Sequence, residues 1–321
     1  MRGLRGLVLA ALGLAAAGLV AAWVLLGSAT IDKDTPFTIP AGASVASVAE
    51  KLEAEGLISS ASGFLLQARL LGGSGPIQAG EFLLKPGMSQ GDILAAFQSG
   101  DVVRRFVTIP EGMPSILVWE RLMGEPLLTG DIPVPPEGSI LPDTYAFERG
   151  QSRAKLVEQM QAAMDKALAE EWAKRAPGIA VSTMREALIL ASIVEKETGK
   201  PEERRMVAGL YSNRVRTGMK LQADPTIIYP FTKGKPLGER IKQSQITAVN
   251  GYNTYTRVGL PVGPITNPGR ASIAAVMNPE ATSALFMVAD GTGGHAFADT
   301  LEEHNANVAK WYAIRRERGE M

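Results

Sequence analysis

Residues 188–198 read LILASIVEKET, a nearly unbroken apolar run that ends in two carboxylates. Thr183 and Glu186 precede it at capping-box spacing, which predicts the start of a helix. Gly199 and Pro201 follow it and predict the helix's end. Because almost every position of the run is apolar, we expect this helix to be covered on all sides rather than amphipathic. A mainly helical domain built around it follows from this pattern.

Two acids, Glu195 and Glu197, close this run. At a helix C-terminus the macrodipole is negative, and partial burial also favours the neutral carboxyl. A glutamic acid that stays protonated near neutral pH is what a general acid requires. Two residues apart on a helix, these side chains point about 200° from each other, so they cannot serve one cleft in the same way. The alternative reading is two exposed acids on a helix's last turn.

Composition narrows the possible functions. The chain has 321 residues, 45 % of them hydrophobic, which allows two domains with real cores. A formal net charge of zero gives no electrostatic basis for binding nucleic acid. The absence of cysteine excludes disulfides and thiolate chemistry. Only His295 and His304 are available as imidazole ligands, at a spacing that does not predict a metal site, and we expect no metal or cofactor.

The N-terminus predicts a location. Residues 7–27 are almost wholly apolar, long enough to cross a bilayer as a helix. Arg2 and Arg5 precede this segment, and Asp32 and Asp34 follow it, so residues 1–6 are expected in the cytoplasm and the remainder in the periplasm. A cleaved signal peptide is the alternative, but the run is long for one. We therefore expect a single-pass protein of the inner membrane.

Residues 37–108 predict a small α+β module. Three segments with similar sequences begin at Ile39, Leu84 and Ile109. Each has Pro and Gly at a turn, followed by Ser before a helix-like stretch. Beyond them, residues 109–321 read as mainly helical, with a loop-rich tract between Gly218 and Gly269 and short strands near the C-terminus. The expected fold class is α+β, with the mainly helical domain carrying loop-rich β elements.

Polar clusters follow the acidic helix. Each could be ordinary turn chemistry, because Asn and Asp favour turns. Together they supply the amide, carboxyl and phenol groups that hydrogen-bond sugar hydroxyls. These clusters are Asn213-Arg214, Leu221 to Tyr229, Tyr252 to Tyr255, and Ala289 to His295.

In this order and spacing the motifs resemble those of the endolytic murein transglycosylases, membrane-anchored enzymes that cleave peptidoglycan glycan strands. The resemblance covers essentially everything after residue 27, and it implies that residues 37–108 form a LysM-like module and residues 109–321 the catalytic domain. It rests on IVEKET (193–198), NR (213–214), GMKLQADPTIIY (218–229), YNTY (252–255), GLP (259–261) and ADGTGGH (289–295).

The resemblance also implies a reaction. Lytic transglycosylases cleave the β-1,4 bond from N-acetylmuramic acid to N-acetylglucosamine, and the muramyl 6-hydroxyl attacks C1 to leave a 1,6-anhydro end. Since the nucleophile belongs to the substrate, one Glu can act as both acid and base. Glu197-Thr198 resembles the Glu-Ser pair that ends the catalytic helix in the wider lytic transglycosylase group. This assigns catalysis to Glu197 and leaves Glu195 as a supporting residue, paired with a base such as Arg214, or as the alternative acid.

Substrate contacts are assigned on the same basis. The expected partners are peptidoglycan strands, the inner membrane and peptidoglycan synthases, with no nucleic acid. Two alternatives stay open: a noncatalytic glycan-binding scaffold, and a hydrolase that uses water as nucleophile. The expected substrate-binding residues are Asn213, Arg214, Gln222, Asp224, Thr226, Tyr229, Asn253 and Tyr255.

Overall fold

A computed structural model describes residues 13–15, 18, 29–71 and 75–320. It divides into two compact units, and the division along the chain falls between Arg105 and Phe106. Each unit mixes helices with small two-stranded sheets, which confirms the expected α+β class. Most of the expected transmembrane helix, residues 7–27, lies outside the described residues. Among those that are described, no helix is long and apolar enough to cross a membrane.

The first unit packs helices on a two-stranded sheet. Strands β1 (Thr35–Ile39) and β2 (Gly80–Leu84) pair antiparallel, with Phe37 opposite Phe82. Phe97 stacks on Phe37 at 5.6 Å and meets Phe82 edge-on at 4.9 Å, so three aromatic rings form the centre of this core. The unit's helices are α1 (Val45–Ala54), α2 (Ala61–Leu71) and α3 (Gln90–Ser99). The Ser residues expected before α1 and α3 are confirmed as their N-caps.

The second unit begins with a small sheet and a long helix. Strands β3 (Arg104–Thr108) and β4 (Thr144–Glu148) form its first sheet. Helices α4 (Ser115–Met123) and α5 (Arg153–Ala173) pack with this sheet around a separate apolar cluster that includes Phe147.

The acidic helix, α6 (Met184–Glu197), lies at the centre of the larger core. Its capping box is confirmed: the Thr183 hydroxyl accepts from the Glu186 N–H at 3.1 Å, and Glu186 accepts from the Thr183 N–H at 3.2 Å. Every residue from Ile189 to Val194 is buried, as a helix covered on all sides should be. After Glu197 the backbone becomes extended at Thr198, so the helix ends directly after the second acid.

The remaining elements surround α6. A short 3-10 turn, Pro201–Glu203, leads into α7 (Arg204–Arg216), which packs on α6 together with α10 (Arg270–Met277). The tract expected to be loop contains two helices, α8 (Asp224–Thr232) and α9 (Gln243–Ile246). Strands β5 (Phe286–Ala289) and β6 (His295–Ala298) form an antiparallel hairpin against α11 (Leu301–Glu317).

Candidate active site

The last turn of α6 sends its two acids to different environments. Glu195 has a buried side chain whose Oε2 accepts the Gly269 N–H at 2.9 Å. Its Oε1 lies 3.9 Å from Arg204, which also binds Glu111 at 3.0 Å. The ion-pair partner of Glu195 is therefore Arg204 rather than the expected Arg214. Both of its oxygens are engaged in holding neighbouring segments together.

Glu197 has the opposite character. Its Oε1 is buried and has no hydrogen-bond partner among the described residues. Burial is the main cause that raises the pKa of Glu197 to about 7, and the nearby Asp224 carboxylate adds to the effect. Tyr211 and Arg214 act in the opposite direction. A carboxyl with this pKa exists in both protonation states near neutrality, which suits a group that must donate a proton and later accept one.

Helix α7 supplies the positive side of this site. Tyr211 and Arg214 lie three residues apart and so share a helix face. The Arg214 Nε donates to the Leu285 carbonyl at 2.7 Å, and its Nη1 donates to the Leu221 carbonyl. These bonds fix the guanidinium in the core, where burial lowers its pKa. Tyr211 is fully enclosed, and burial together with the Glu197 charge raises the pKa of its phenol.

The start of α8 supplies the second carboxylate of this site. Asp224 is exposed, and its Oδ1 accepts from the Tyr255 hydroxyl at 2.6 Å. Gln222, two residues earlier, is exposed and has φ +49°, a left-handed conformation that costs a non-glycine residue on the order of 1 kcal/mol. Such strain is typical of functional segments. The structure thus brings Arg214, Asp224 and Tyr255 to the region of Glu197, and Gln222 lies two residues before Asp224.

Other expected contact residues have side chains occupied by the fold. Asn253 is fully buried, and its amide donates to three carbonyls, those of residues 245, 246 and 248, at 3.2, 2.9 and 2.8 Å. The Thr226 hydroxyl lies 2.8 Å from that of Thr254, which ties α8 to the loop. Asn213 donates to the carbonyls of Thr282 and Ala284 at 2.8 and 3.1 Å. These three residues shape the site without presenting free polar groups to it.

Tyr229 lies on the inner face of α8. Its ring packs against Tyr252 with centroids 4.7 Å apart. The hydroxyl hydrogen-bonds Glu137, and burial raises the pKa of both groups. Glu137 in turn accepts the Ser115 N–H at 2.9 Å. This buried pair connects α8 to the first residue of α4, through the segment that carries Glu137 between α4 and β4.

A second network, not predicted from the sequence, holds the end of α6. The Thr198 hydroxyl donates to Glu203 Oε2 at 3.1 Å. Glu203 also receives the His295 N–H at 3.0 Å and contacts the His295 Nδ1 at 2.9 Å. Lys200 reaches Thr292 in the same hairpin turn at 3.1 Å. The β5–β6 hairpin is thereby fastened to the residue that follows Glu197. The sequence predicts this motif, residues 289–295, as one of the polar clusters that hydrogen-bond sugars, whereas its Thr292 and His295 here bind Lys200 and Glu203.

Metal ligation has no basis in the residues described: no group of three or more His, Asp or Glu among them could hold a metal ion.

Comparisons with known proteins identify the family of this chain. Residues 37–310 match the YceG-like family. A Bacillus subtilis (strain 168) protein named endolytic murein transglycosylase is 27 % identical over 324 residues, covering 90 % of this chain and 89 % of the relative. A protein of the same name from Streptococcus pneumoniae serotype 2 (strain D39) is 29 % identical, covering 85 % of this chain and 57 % of the relative.

The fold is similar to a solved structure. A yceG-like protein from Listeria monocytogenes, determined by crystallography at 2.6 Å, superposes with a TM-score of 0.53 and 28 % sequence identity. The match covers 85 % of this chain and 99 % of that protein. Since the family match spans most of the sequence, the chain belongs to the YceG-like family.

Proposed function

We propose that this protein is an endolytic murein transglycosylase, a lyase that cleaves peptidoglycan glycan strands. Membership in the YceG-like family and the shared name of two relatives support the reaction class. One observation carries the mechanism: Glu197 ends a buried helix with one oxygen unpartnered among the described residues and its pKa raised to about 7.

The reaction needs one acid that works twice. Glu197 in its protonated form gives its proton to the glycosidic oxygen, and the bond from muramyl C1 to that oxygen breaks. The muramyl O6 then bonds to C1, and its proton passes to the Glu197 carboxylate. The products are a 1,6-anhydromuramyl end and a free 4-hydroxyl, and Glu197 is again protonated. No water is consumed.

Neighbouring residues support this cycle. Asp224 favours the protonated form before the reaction, because two nearby carboxylates repel each other. Arg214 stabilises the carboxylate after proton donation. We assign sugar contacts to Tyr255, whose hydroxyl is held by the exposed Asp224, and to Gln222 with its strained backbone. We assign to Glu195 a supporting role, because both of its oxygens are already engaged.

Hydrolysis is the second candidate, because Asp224 gives the site a second carboxylate, and glycosidases that use water employ a pair of carboxylates. The product end distinguishes the two reactions. Uncrosslinked glycan strands would be digested in ¹⁸O-labelled water, and the ends identified by mass spectrometry. We expect unlabelled anhydromuramyl ends. Reducing ends that carry ¹⁸O would establish a hydrolase, and intact strands would favour a noncatalytic scaffold.

Location and organisation complete the proposal. Residues 7–27 would anchor the chain in the inner membrane, with residues 1–6 cytoplasmic and the catalytic domain in the periplasm, near nascent strands and peptidoglycan synthases. Residues 37–108 would form a LysM-like module, and 109–321 the catalytic domain. Protease added to spheroplasts should digest the residues after 27. In a separate sample without protease, the chain should remain with the membrane after alkaline extraction. Release of the chain by that extraction would contradict the anchor.

A further inference from the structure

A cavity of about 500 Å³ lies within the second unit, beside the helix ends that carry Glu197 and Asp224. We call these two residues the acid cluster. We call the cavity the proline-lined cavity, since Pro110, Pro114, Pro225 and Pro236 form part of its wall. Its volume falls in the range of ligand sites, about 300–1,000 Å³. The mechanism proposed above gives this cavity no role.

The cavity adjoins the catalytic elements residue by residue. Lys196 lines it and directly precedes Glu197 on α6. Pro225 lines it and directly follows Asp224 on α8. Successive residues on a helix point about 100° apart. Each of these two helix ends therefore contributes one residue to the acid cluster and the adjacent residue to the cavity wall. A substrate held at Glu197 would therefore have this cavity beside it.

The walls of the cavity suit a different chemistry from the acid cluster. Apart from Tyr229, its large side chains are mostly aliphatic, including Leu117, Ile228 and Ile265. Few hydroxyl or amide side chains line it, whereas a sugar ring needs many such groups. The proline-lined cavity is thus better suited to a ligand with methyl groups than to a saccharide.

The charges of the lining leave one cation unpaired. Lys235 binds Glu120, and Glu111 binds Arg204 at 3.0 Å. Lys196, in contrast, is exposed and has no hydrogen-bond or ion-pair partner within the described part of the chain. The unbalanced charge at this cavity is therefore positive, and it is complementary to a carboxylate.

We propose that the proline-lined cavity binds the stem peptide borne by a muramyl residue at the cleavage site. This inference rests on the proposed function. Alanine methyl groups of the peptide fit the aliphatic wall, and Lys196 pairs with one of its carboxylates. The peptide is attached through the lactyl group at muramyl C3, on the same ring that reacts at C1, so it must leave the cleft close to Glu197. The cavity makes peptide-bearing strands better substrates than bare ones.

The test compares two substrates with the full-length protein in detergent. Uncrosslinked strands are used either intact or after an amidase has removed their stem peptides. We expect a higher kcat/KM on the peptide-bearing strands. The variant Lys196→Met should reduce the ratio of the two kcat/KM values by about three- to tenfold, and Lys196→Arg should restore it. Lys155→Met, which removes an exposed lysine on α5 away from the cavity, serves as the matched control.

A second variant, Leu237→Trp, fills the cavity from its rim and should lower the same ratio without removing charge. Thermal melting of each variant excludes unfolding, and binding of free stem pentapeptide measured by calorimetry provides an independent readout. The peptide site would be overturned if kcat/KM were equal on both kinds of strand and if neither Lys196→Met nor Leu237→Trp changed that ratio. The transglycosylase proposal would remain intact in that case. Failure of the wild-type protein to cleave either strand would overturn both.

Discussion

Glu195 and Glu197 lie two residues apart on one helix and differ in almost every physical respect. Glu195 accepts the Gly269 N–H and lies 3.9 Å from Arg204, so both of its oxygens are engaged in holding segments together. Glu197 ends the helix with an unpartnered oxygen among the described residues and a neighbouring carboxylate, so its charged form is disfavoured. The comparison shows how one helix end can use one acid to hold segments together and the other for chemistry.

Removing the two acids in turn should separate activity from structure. Glu197→Gln keeps the shape but removes the transferable proton, so we expect kcat to fall by about 10²–10⁴-fold with normal folding. Glu195→Gln should leave measurable activity. Both are assayed by release of anhydromuramyl products from uncrosslinked strands. A loss confined to Glu195→Gln would reverse the assignment of the two acids.

The stability effects should show the opposite order. Glu195→Ala leaves Arg204 and the Gly269 N–H without a buried partner, which should reduce the free energy of unfolding by about 2–4 kcal/mol. Urea denaturation followed by circular dichroism measures this. Glu111→Ala removes the more exposed acid of the same cluster and is the matched control, with a smaller expected effect. Equal losses in the two variants would show that Glu195 has no special structural role.

Stability should also depend on pH through Glu197. Its pKa rises from the ordinary 4.5 to about 7 on folding, so the folded protein binds more protons than the unfolded chain between these values. This group's contribution to stability therefore decreases as pH rises from about 4.5 to 7 and stays low above that range. At pH 8 Glu197→Gln should be more stable than the wild type by about 1–3 kcal/mol, an advantage that shrinks by pH 5.

Melting temperatures of the two proteins across this range provide the measurement. A difference that is independent of pH would mean that Glu197 titrates alike in the folded and unfolded states.

The hairpin network gives the smallest predicted effect. A Cβ at Gly294 would lie 2.2 Å from Glu203 Oε1 and 2.7 Å from Lys200 Nζ, so Gly294→Ala should displace these side chains from Thr198 and His295. Because the displaced atoms end flexible side chains, we expect little loss of stability but a decrease in kcat of about three- to tenfold, with KM nearly unchanged. Gly199→Ala adds a Cβ into open space nearby and is the control. Equal kcat in the two variants would show that the hairpin network does not affect catalysis.

Local signals in the sequence predicted the parts of the site that depend on local chemistry. The capping box at Thr183 and the apolar run gave α6 its limits, and helical geometry alone predicted that the two acids diverge. The content of Gly, Pro, Asn and Tyr between Gly218 and Gly269 predicts a loop-rich tract, and this prediction misses α8, which contains Pro225 and Pro230. The first of these is a favoured first-turn residue and could have indicated a helix start.

Long-range contacts could not be read from such patterns. Glu195 accepts the N–H of Gly269, 74 residues further along the chain, only because of how distant segments pack. Asn253 donates to carbonyls at the end of α9 and just after it, because the loop turns back onto that helix. Polar composition predicted sugar contacts for Asn213, Thr226 and Asn253, whereas the folded chain uses these side chains to satisfy buried backbone and hydroxyl groups. The residue types therefore indicated which part of the chain forms the site, whereas the hydrogen-bond partner of each side chain depended on the fold.

The most direct measurement is the titration of the Glu197 carboxyl itself. Protein labelled with ¹³C at the glutamate side-chain carboxyl would be followed by NMR from pH 4 to 9, with Glu197→Gln and Glu195→Gln used to assign the two signals. The account predicts a midpoint near 7 for the Glu197 carboxyl, on a signal that disappears in Glu197→Gln. A midpoint for Glu197 near the ordinary 4.5, or a neutral-range titration that disappears only in Glu195→Gln, would contradict it.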